Sequence, residues 1–281
     1  MPELPEVEIT ARLLDDALRG AEIESATAPG INALKTFEPA LSVLEGEQIL
    51  AVRRRGKHLI VEVSGGLVLL AHLMSAGRLQ LYDRPAGPRD RTSRLLVRLA
   101  DGRELRLREF GSKQAAWVKL LRADALAQDE ALASLGPEAW PEPPPLGELL
   151  DAPRPLHALL RDQHVIAGIG RSWVDEILWR AQLSPYKRGG DLDAGELERL
   201  RQAIIATLGA AIAHYEQALQ LPIADKLPMP LAVHRHQGEP CPRCSSTLEA
   251  VHFEDYVIAY CPTCQTEGRV LKDRRLSRLL R

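Results

Sequence analysis

The chain begins with Met1-Pro2-Glu3-Leu4-Pro5-Glu6-Val7-Glu8, a stretch that places a proline amine beside several carboxylates. Removal of the initiating methionine, which a small second residue permits, would free the secondary amine of Pro2. Such an amine can attack an electrophilic carbon and form an iminium ion, the covalent strategy of lysine Schiff-base enzymes. Pro5 suits the first turn of a helix, and apolar residues recur at helical spacing as far as Leu18, before Gly20. The stretch therefore predicts a helix whose N-terminus lies close to a nucleophilic amine.

Four cysteines lie towards the other end of the chain, as Cys241-x-x-Cys244 and Cys261-x-x-Cys264 with 16 residues between the pairs. This spacing is typical of tetrahedral four-thiolate zinc sites, and we favour zinc over free thiols. The stretch 248–260 is rich in Val, Phe, Tyr and Ile and predicts a β-hairpin between the two metal-binding turns. We expect one structural Zn²⁺, without an open coordination position for a reacting water.

The composition favours two domains over one, because 281 residues with 45% hydrophobic content can bury more than one core. The sequence contains no run of about 18 apolar residues, and its N-terminus is acidic instead of basic and then apolar. Neither membrane spanning nor secretion is therefore expected. The cysteines share one short window, which is typical of a metal site in a reducing compartment, so we expect a cytoplasmic protein.

The net charge of −2 hides an uneven distribution of basic residues. Local basic faces matter more than the total charge for a polyanionic partner, although charge runs usually form solvated surfaces. The early cluster consists of Arg53, Arg54, Arg55 and Lys57, and the late one of Arg269, Lys272, Arg274, Arg275, Arg278 and Arg281. Only in combination with other features do these clusters favour a nucleic-acid partner.

Prolines divide the chain at 136–155, a stretch that suits neither a continuous helix nor a central strand. Before it, short β-rich runs between residues 49 and 121, separated by Gly-containing turns, predict an antiparallel sandwich or barrel. After it, helical periodicity dominates at 156–163, 172–181 and 194–221. We expect a β-sandwich catalytic domain over 1–135, a linker over 136–155, a helical domain over 156–236, and a zinc finger with a basic C-terminus over 237–281.

Two glycines, Gly168 and Gly170, stand just before the second of these helices. Glycines in that position let backbone N–H groups converge on an anion such as a DNA phosphate, and the helix dipole adds to the attraction. The alternative is an ordinary tight turn between helices, which this pattern alone favours.

In combination, these motifs resemble the formamidopyrimidine-DNA glycosylase and endonuclease VIII family of base-excision repair enzymes, and the resemblance spans nearly the whole chain. The family's fold would be α+β with two domains: an N-terminal antiparallel β-sandwich with flanking helices, and a C-terminal helix-two-turn-helix domain with a four-cysteine zinc finger. DNA would lie in the cleft between them. The motifs that carry the resemblance are the opening stretch 2–8, Arg54-Arg55-Gly56-Lys57, Ala167-Gly168-Ile169-Gly170 and the cysteine pairs.

The resemblance implies a bifunctional DNA glycosylase and abasic-site lyase. Pro2 would attack C1′ of a damaged nucleotide that has been flipped out of the duplex, and Glu3 would act as acid and base. Lys57 matches a lysine that approaches the phosphate next to the lesion. Glu6 matches a second carboxylate that positions Glu3 or the sugar, although an acidic residue also simply suits a helix N-terminus.

The family also implies a wedge of three residues that fills the hole left by the flipped base. Arg108 and Phe110 match two of its members. For the third, an ungapped match puts Ser75 at the usual methionine position and Met74 one residue early. We assign Met74, on the expectation that it lies on a strand and that a bulge re-aims its side chain; a core methionine is the alternative.

Several residues depart from the family's pattern. Arg171 follows Gly170 where asparagine is usual, which keeps hydrogen-bonding capacity towards phosphate and adds a charge. Tyr256 replaces a hairpin arginine that contacts phosphate, and Arg269 is a candidate substitute. The segment 221–238 is short and proline-rich, too small for the long loop that caps 8-oxoguanine. Formamidopyrimidines or oxidised pyrimidines are therefore as well supported as 8-oxoguanine.

The implied partner is double-stranded DNA with a damaged base or an abasic site, bound by a monomer that associates with the nucleoid of a bacterial-type cell. The rival hypothesis is a protein of the same fold that binds lesions or abasic sites without turnover. Intact Pro2, Glu3 and Lys57 favour the enzyme, because complete catalytic constellations usually belong to enzymes.

Overall fold

A computed structural model of the protein describes residues 2–30, 32–87, 90–110, 114–253 and 256–272. Four members of the late basic cluster lie outside these residues: Arg274, Arg275, Arg278 and Arg281. The chain forms two compact units, one made of Met1–Ser134 with Ile212–Pro228 and the other of Leu135–Ala211 with Met229–Arg281. The four-part division over 1–135, 136–155, 156–236 and 237–281 stays a prediction.

The first unit contains helix α1 (Leu4–Leu18) and two four-stranded antiparallel sheets. The sheet orders are β1-β6-β7-β5 and β2-β3-β4-β8. Apolar residues of both sheets and of α1 share one core, which confirms the predicted antiparallel sandwich. The strands are β1 (Ile23–Thr27), β2 (Ile49–Arg55), β3 (His58–Val63), β4 (Leu67–His72), β5 (Gly77–Tyr82), β6 (Ser93–Leu99), β7 (Glu104–Glu109) and β8 (Trp117–Arg122). Helix α2 (Glu130–Ala133) follows.

Helix α1 forms where the sequence predicts it. Its N-terminus carries a capping box between Glu3 and Glu6, which satisfies backbone N–H groups that the first turn would otherwise leave without acceptors. Its apolar face is fully buried through Leu4, Val7 and Leu14. Burial of such side chains contributes about 1.5–3 kcal/mol each, so the helix is held mainly by tertiary packing.

The second unit is mostly helical and ends in a β-hairpin. The stretch 136–155 contains one short helix, and its Leu146 and Leu150 are buried. The longest helix, α6, contributes its residues from Ile212 onwards to the first unit. The elements are α3 (Leu146–Leu150), α4 (Leu156–Arg161), α5 (Arg171–Ala181), α6 (Ala194–Ala218), β9 (Glu249–His252), β10 (Val257–Tyr260) and α7 (Pro262–Thr266). Among the described helices, none has the length and apolar character needed to cross a membrane.

Candidate functional site

The residues beside Pro2 form a buried carboxylate pair at the N-terminus of α1. Pro2 itself is buried, and Glu3 and Glu6 are only 1% and 2% exposed. The backbone N–H of Glu3 donates to Oε2 of Glu6 at 2.8 Å. The capping box therefore fixes the backbone immediately after Pro2, so the structure brings three of the predicted catalytic residues together.

Tyr215, which the sequence analysis missed, completes this group. Its hydroxyl donates to Oε1 of Glu6 at 2.7 Å, across 209 positions of the chain. Burial, followed by the nearby Glu3 carboxylate, raises the pKa of Glu6, whereas the Tyr215 hydrogen bond acts in the opposite direction. Burial and the Glu6 carboxylate in turn raise the pKa of Tyr215, which keeps its hydroxyl protonated as a donor. The available signal was a tyrosine on the face of α6 that otherwise buries aliphatic residues such as Leu208 and Ile212.

Lys57 lies in the tight turn between β2 and β3, and this turn is connected to α1. Arg54 pairs with Glu8 of α1 at 2.7 Å, and its guanidinium also donates to the Gly56 carbonyl at 3.4 Å. Gly56 has φ +56°, a left-handed conformation that favours glycine. Lys57 is only 7% exposed, which is uncommon for a lysine. The turn therefore holds a mostly buried cation on the same unit as the carboxylate pair.

Two neutral histidines lie next along the sheet. His58 and His72 are cross-strand neighbours on β3 and β4, with ring centroids 4.8 Å apart. Burial lowers the pKa of His58 to about 4 and that of His72 to about 3. Nδ1 of His72 accepts a hydrogen bond from the backbone N–H of Met74 at 3.1 Å, and its ring stacks on Trp117. An uncharged His72 therefore anchors the segment that carries Met74.

The expectation that Met74 lies on a strand is wrong. Met74 belongs to the turn that joins β4 to β5, and its φ of +48° is left-handed. Its direction is therefore set by the turn, and no strand bulge is needed. Met74 is half-buried, so it is not the core methionine of the alternative interpretation.

The pairing of β5 with β7 brings this turn to the other two predicted wedge residues. The backbone N–H of Phe110, one residue past β7, donates to the Ala76 carbonyl at 3.4 Å. The Arg108 guanidinium lies 4.6 Å from the Phe110 ring centroid, and its Nε–H donates to Thr92 Oγ1 at 2.9 Å. The structure thus gathers the Met74 turn, Arg108 and Phe110 at one end of this sheet. Gly111, which follows Phe110, lies outside the described residues.

The segment after α6 is fastened to the same sheet. The Gln80 amide donates to the Ile223 carbonyl and, at 3.0 Å, to Oδ1 of Asp225. Asp225 also lies 3.9 Å from Nη1 of Arg108. Ile223 is buried, so this part of the segment packs as part of the first unit and does not project as a long loop.

In the second unit, the glycine-rich turn is organised by Gln163. Its amide donates to the Ile169 carbonyl at 2.8 Å and accepts from the Gly168 N–H at 2.9 Å. Gly168 has φ +109°, and Gly170 is the N-cap of α5, with Arg171 as the first helical residue. Because the Gly168 N–H bonds within the turn, the predicted convergence of both glycine N–H groups on an anion does not hold for Gly168.

The four cysteines of the second unit converge. All four Sγ atoms lie within 4.8 Å of one another, with separations of 3.4 Å for Cys244–Cys261, 3.5 Å for Cys244–Cys264 and 4.0 Å for Cys241–Cys264. A tetrahedral four-thiolate zinc site has Sγ–Sγ edges of about 3.8 Å. The set therefore fits Zn²⁺ in size and donor type. The Trp179 indole N–H donates to Cys241 Sγ at 3.4 Å, a contact that links the cluster to α5.

Two consecutive carboxylates of α5 hold the surroundings of this cluster, and the sequence analysis did not identify them. Buried Asp175 accepts from the Ala259 N–H on β10 at 2.9 Å and pairs with His234 at 2.7 Å. Glu176 accepts three backbone N–H groups, those of residues 232–234. Their sequence signal was an acidic pair in the middle of an otherwise apolar helical run.

Arg269 and Tyr256 lie apart. Arg269 is 77% exposed, pairs with Glu267 at 2.8 Å, and lines a cleft of about 450 Å³ with residues that follow the C-terminus of α5, such as Leu183. Tyr256, just before β10, lies 5.4 Å from the guanidinium of Arg171 at the N-terminus of α5. Arg269 therefore lies near the C-terminal end of α5, whereas Tyr256 lies near its N-terminal end.

Three family models match the chain. They describe the N-terminal domain of formamidopyrimidine-DNA glycosylase over residues 1–112, the H2TH domain of the same protein over residues 146–222, and a zinc finger found in FPG and IleRS over residues 238–266. The chain is also similar to the formamidopyrimidine-DNA glycosylase of Bacillus anthracis, at 31% identity over 94% of this chain and 99% of the relative. The protein of that name from Chloroflexus aurantiacus is 34% identical, over 94% and 98% of the two chains.

Solved structures give the same match. The complex of Lactococcus lactis Fpg (MutM) with DNA containing N7-benzyl-Fapy-dG has a TM-score of 0.83 and 28% identity, covering 94% of this chain and 100% of that one. A complex of Lactococcus lactis Fpg with abasic-site DNA has a TM-score of 0.83 and 27% identity over 94% and 99% of the chains. A third complex, of the same protein with DNA containing an oxidised pyrimidine, has a TM-score of 0.82, with 28% identity over 94% and 100%.

Proposed function

Because this chain belongs to the formamidopyrimidine-DNA glycosylase family, we propose that it removes oxidised bases from double-stranded DNA and then cleaves the strand at the resulting abasic site. The observation that carries this proposal is the buried group of Glu3, Glu6 and Tyr215 immediately after Pro2. Burial of two carboxylates costs free energy, and a carboxyl group with a raised pKa, such as Glu6, is frequent where protons are transferred.

The proposed reaction starts at the nitrogen of Pro2 after removal of Met1. The nitrogen lone pair forms a bond to C1′ of the flipped nucleotide, and the bond from C1′ to the base breaks, with its electron pair leaving on the base. Glu3 protonates the sugar ring oxygen as its bond to C1′ breaks. The nitrogen loses its own proton, which leaves an iminium between Pro2 and C1′.

Strand cleavage follows from the same iminium. It acidifies the hydrogen on C2′, and loss of that proton expels the 3′ phosphate by β-elimination. Loss of the proton on C4′ then expels the 5′ phosphate by δ-elimination. Glu3 carries protons through these steps, and Lys57 approaches the phosphate next to the lesion and assists the elimination. Glu6, which accepts the N–H of Glu3, positions the backbone beside the nucleophile.

DNA binding is proposed for two groups of residues. Met74, Arg108 and Phe110 fill the gap left by the flipped nucleotide, with Arg108 towards the orphan base. Gly170 and Arg171 bind backbone phosphate at the start of α5.

One Zn²⁺ would be held by the four cysteines, Cys241, Cys244, Cys261 and Cys264. It would supply folding free energy to the hairpin and no reaction chemistry. We expect a monomer that acts on nucleoid DNA in the bacterial cytoplasm.

Borohydride trapping tests the proposed chemistry. The purified protein is mixed with a duplex that contains one abasic site, the imine is reduced, and the crosslinked peptide is mapped by mass spectrometry. We expect an adduct on Pro2, and Pro2→Gly should bind the same duplex with impaired trapping and base excision. Glu3→Gln should retain affinity for abasic DNA and lose excision. Tight binding without any adduct would instead support the non-catalytic lesion-binding protein.

A further inference from the structure

Tyr256 lies at the centre of an aromatic stack that joins the hairpin to α4. Its ring is nearly parallel to that of Phe253 on the hairpin, with centroids 4.5 Å apart, and to that of His157 on α4, at 5.9 Å. His157 is buried, and its Nε2 lies 3.3 Å from Oδ1 of Asp175. The orientation of the Tyr256 ring is therefore set by two elements that the buried core of the second unit holds in place.

Two arginines from neighbouring helix ends lie over this ring. The guanidinium carbon of Arg161, the last residue of α4, is 4.3 Å from the Tyr256 centroid. That of Arg171, the first residue of α5, is 5.4 Å away. A guanidinium that stacks on an aromatic face keeps its N–H donors pointing outwards in its own plane. Two positive charges therefore lie over the ring, close to the positive end of the α5 dipole, where an anion is stabilised.

We propose that Arg161 and Arg171, held over the ring of Tyr256, bind one backbone phosphate of DNA. The inference rests on the proposed function, because the ligand is the DNA on which this enzyme acts. Tyr256 occupies the position where the family's pattern has an arginine. Its ring positions the two guanidinium groups, so the positive charge comes from α4 and α5 instead of from the hairpin. Arg269, at the other end of α5, is not needed for this contact.

The salt dependence of DNA affinity tests this phosphate contact. Affinity for a duplex with one reduced abasic site is measured by fluorescence anisotropy between about 50 and 200 mM NaCl. Loss of one phosphate contact should weaken binding and reduce the slope of log K against log [salt] by about one unit. We expect this result for R161Q/R171Q. The matched control is R180Q, which removes an exposed arginine from the last turn of the same helix and should leave the slope unchanged.

Variants of Tyr256 test the positioning role. Y256F keeps the ring and should match the wild type, whereas Y256L removes the aromatic face and should reproduce part of the loss seen in R161Q/R171Q. In the Y256L background, the added change R171Q should weaken binding less than it does alone, because the two residues act together. Thermal unfolding checks each variant. If Y256L fails to fold, Y256H takes its place, because the ring of histidine is smaller than that of tyrosine.

The sequence between β9 and β10 contains Glu254 and Asp255, which lie outside the described residues. R161Q/R171Q is repeated in an E254Q/D255N background, to test whether the two arginines bind these acidic side chains instead of DNA. A loss of slope that persists there supports the phosphate contact. The proposal is overturned if the slope loss disappears in that background, if R269Q and not R171Q lowers the slope, or if Y256L binds like the wild type.

Failure of this inference can be told from failure of the proposed function. Borohydride trapping of the wild type on abasic DNA reports the iminium chemistry and does not require Arg161 or Arg171 once the protein is in excess. If trapping succeeds and the slopes do not change, only the phosphate site is wrong. If the wild type neither traps nor binds abasic DNA, both proposals fail.

Discussion

The carboxyl group of Glu6 is held between two hydrogen-bond donors that lie far apart in the chain. The Glu3 N–H, three positions earlier, binds one oxygen, and the Tyr215 hydroxyl binds the other. Burial raises the pKa of Glu6 and the tyrosine hydroxyl opposes that effect. The state of this one carboxyl group therefore depends on a residue of α6 as much as on its own helix.

Tyr215→Phe should shift the pH dependence of the enzyme. Removal of the hydroxyl deprives the Glu6 carboxylate of a donor, so the pKa of Glu6 rises further and its ionised form is populated only at higher pH. If the ionised form is the active one, the acidic limb of the kcat/KM profile moves to higher pH. A pKa that is raised in the folded state means that ionisation of Glu6 opposes folding. As pH rises through this pKa, the free energy of unfolding of the variant should therefore fall more steeply, by about 1–3 kcal/mol.

The control for this prediction is Glu6→Gln, which removes the titrating group. In that background, Tyr215→Phe should no longer move the acidic limb. An acidic limb at the same pH in wild type and Tyr215→Phe would show that Glu6 does not control it.

At the scale of elements, the short connections set the positions of the functional side chains. The β4–β5 turn carries Met74, accepts the Phe110 N–H at Ala76 and is anchored by His72. The hairpin of β9 and β10 is held by Asp175 of α5 and by the cysteine cluster. Polar hydrogen bonds therefore fix both segments, and the hairpin also packs through an apolar cluster of Val251, Ile258 and Tyr260.

Gly77→Ala should distort the turn that carries Met74. An added Cβ would lie 2.4 Å from the Leu73 carbonyl oxygen and 2.9 Å from Cβ of Ala116, so the backbone must shift. We expect a loss of about 1–3 kcal/mol in the free energy of unfolding, measured with urea, together with weaker binding to abasic DNA. Gly87→Ala is the matched control, because a Cβ there meets no atom of the described residues within 4 Å and should change neither quantity.

Removal of zinc should unfold the hairpin. Structural zinc supplies roughly 10 kcal/mol of folding free energy in zinc-finger peptides, so chelation or Cys241→Ser should release β9 and β10 and weaken DNA binding. Trp179, whose indole N–H contacts Cys241, reports the change by its fluorescence. Added Zn²⁺ should restore both signals in the wild type and not in Cys241→Ser. Unchanged DNA binding after complete chelation would contradict the role assigned to the hairpin.

At the scale of the whole molecule, the protein carries a net charge of −2 and must bind a polyanion through local basic groups. Arg54 and Lys57 of the early cluster are mostly buried and serve the turn beside α1. Phosphate binding by described residues is therefore expected to depend on separate groups, namely Lys57 next to the lesion and Arg161 with Arg171 beside Tyr256, instead of on one broad basic surface.

Raising the salt concentration should weaken DNA binding in proportion to the number of phosphates contacted. If about six phosphates are contacted, affinity should fall by about 10³-fold between 50 and 200 mM salt. A duplex titration monitored by anisotropy checks this, with an undamaged duplex as the comparison. A flat response would argue against a DNA partner.

Much of the fold could be predicted from local patterns. The family, the α+β architecture and the antiparallel sandwich are confirmed, because the opening motif, the alternating strands and the cysteine spacing are local features of the chain. The strand expected at Met74 was wrong, since a left-handed residue other than glycine is uncommon and has no reliable local signal. Helix α6 was expected to extend to Leu221 and ends at Ala218.

The sequence by itself determined which chemical groups are present: an amine at Pro2, carboxylates at Glu3 and Glu6, and four thiolates at metal-binding spacing. These features are read over a few residues because helix caps and metal-binding turns are local structures. Only the tertiary structure decided that Tyr215 binds Glu6 and that Arg161 and Arg171 lie over Tyr256. Such contacts join residues far apart in sequence, and they depend on how helices and strands pack around a core.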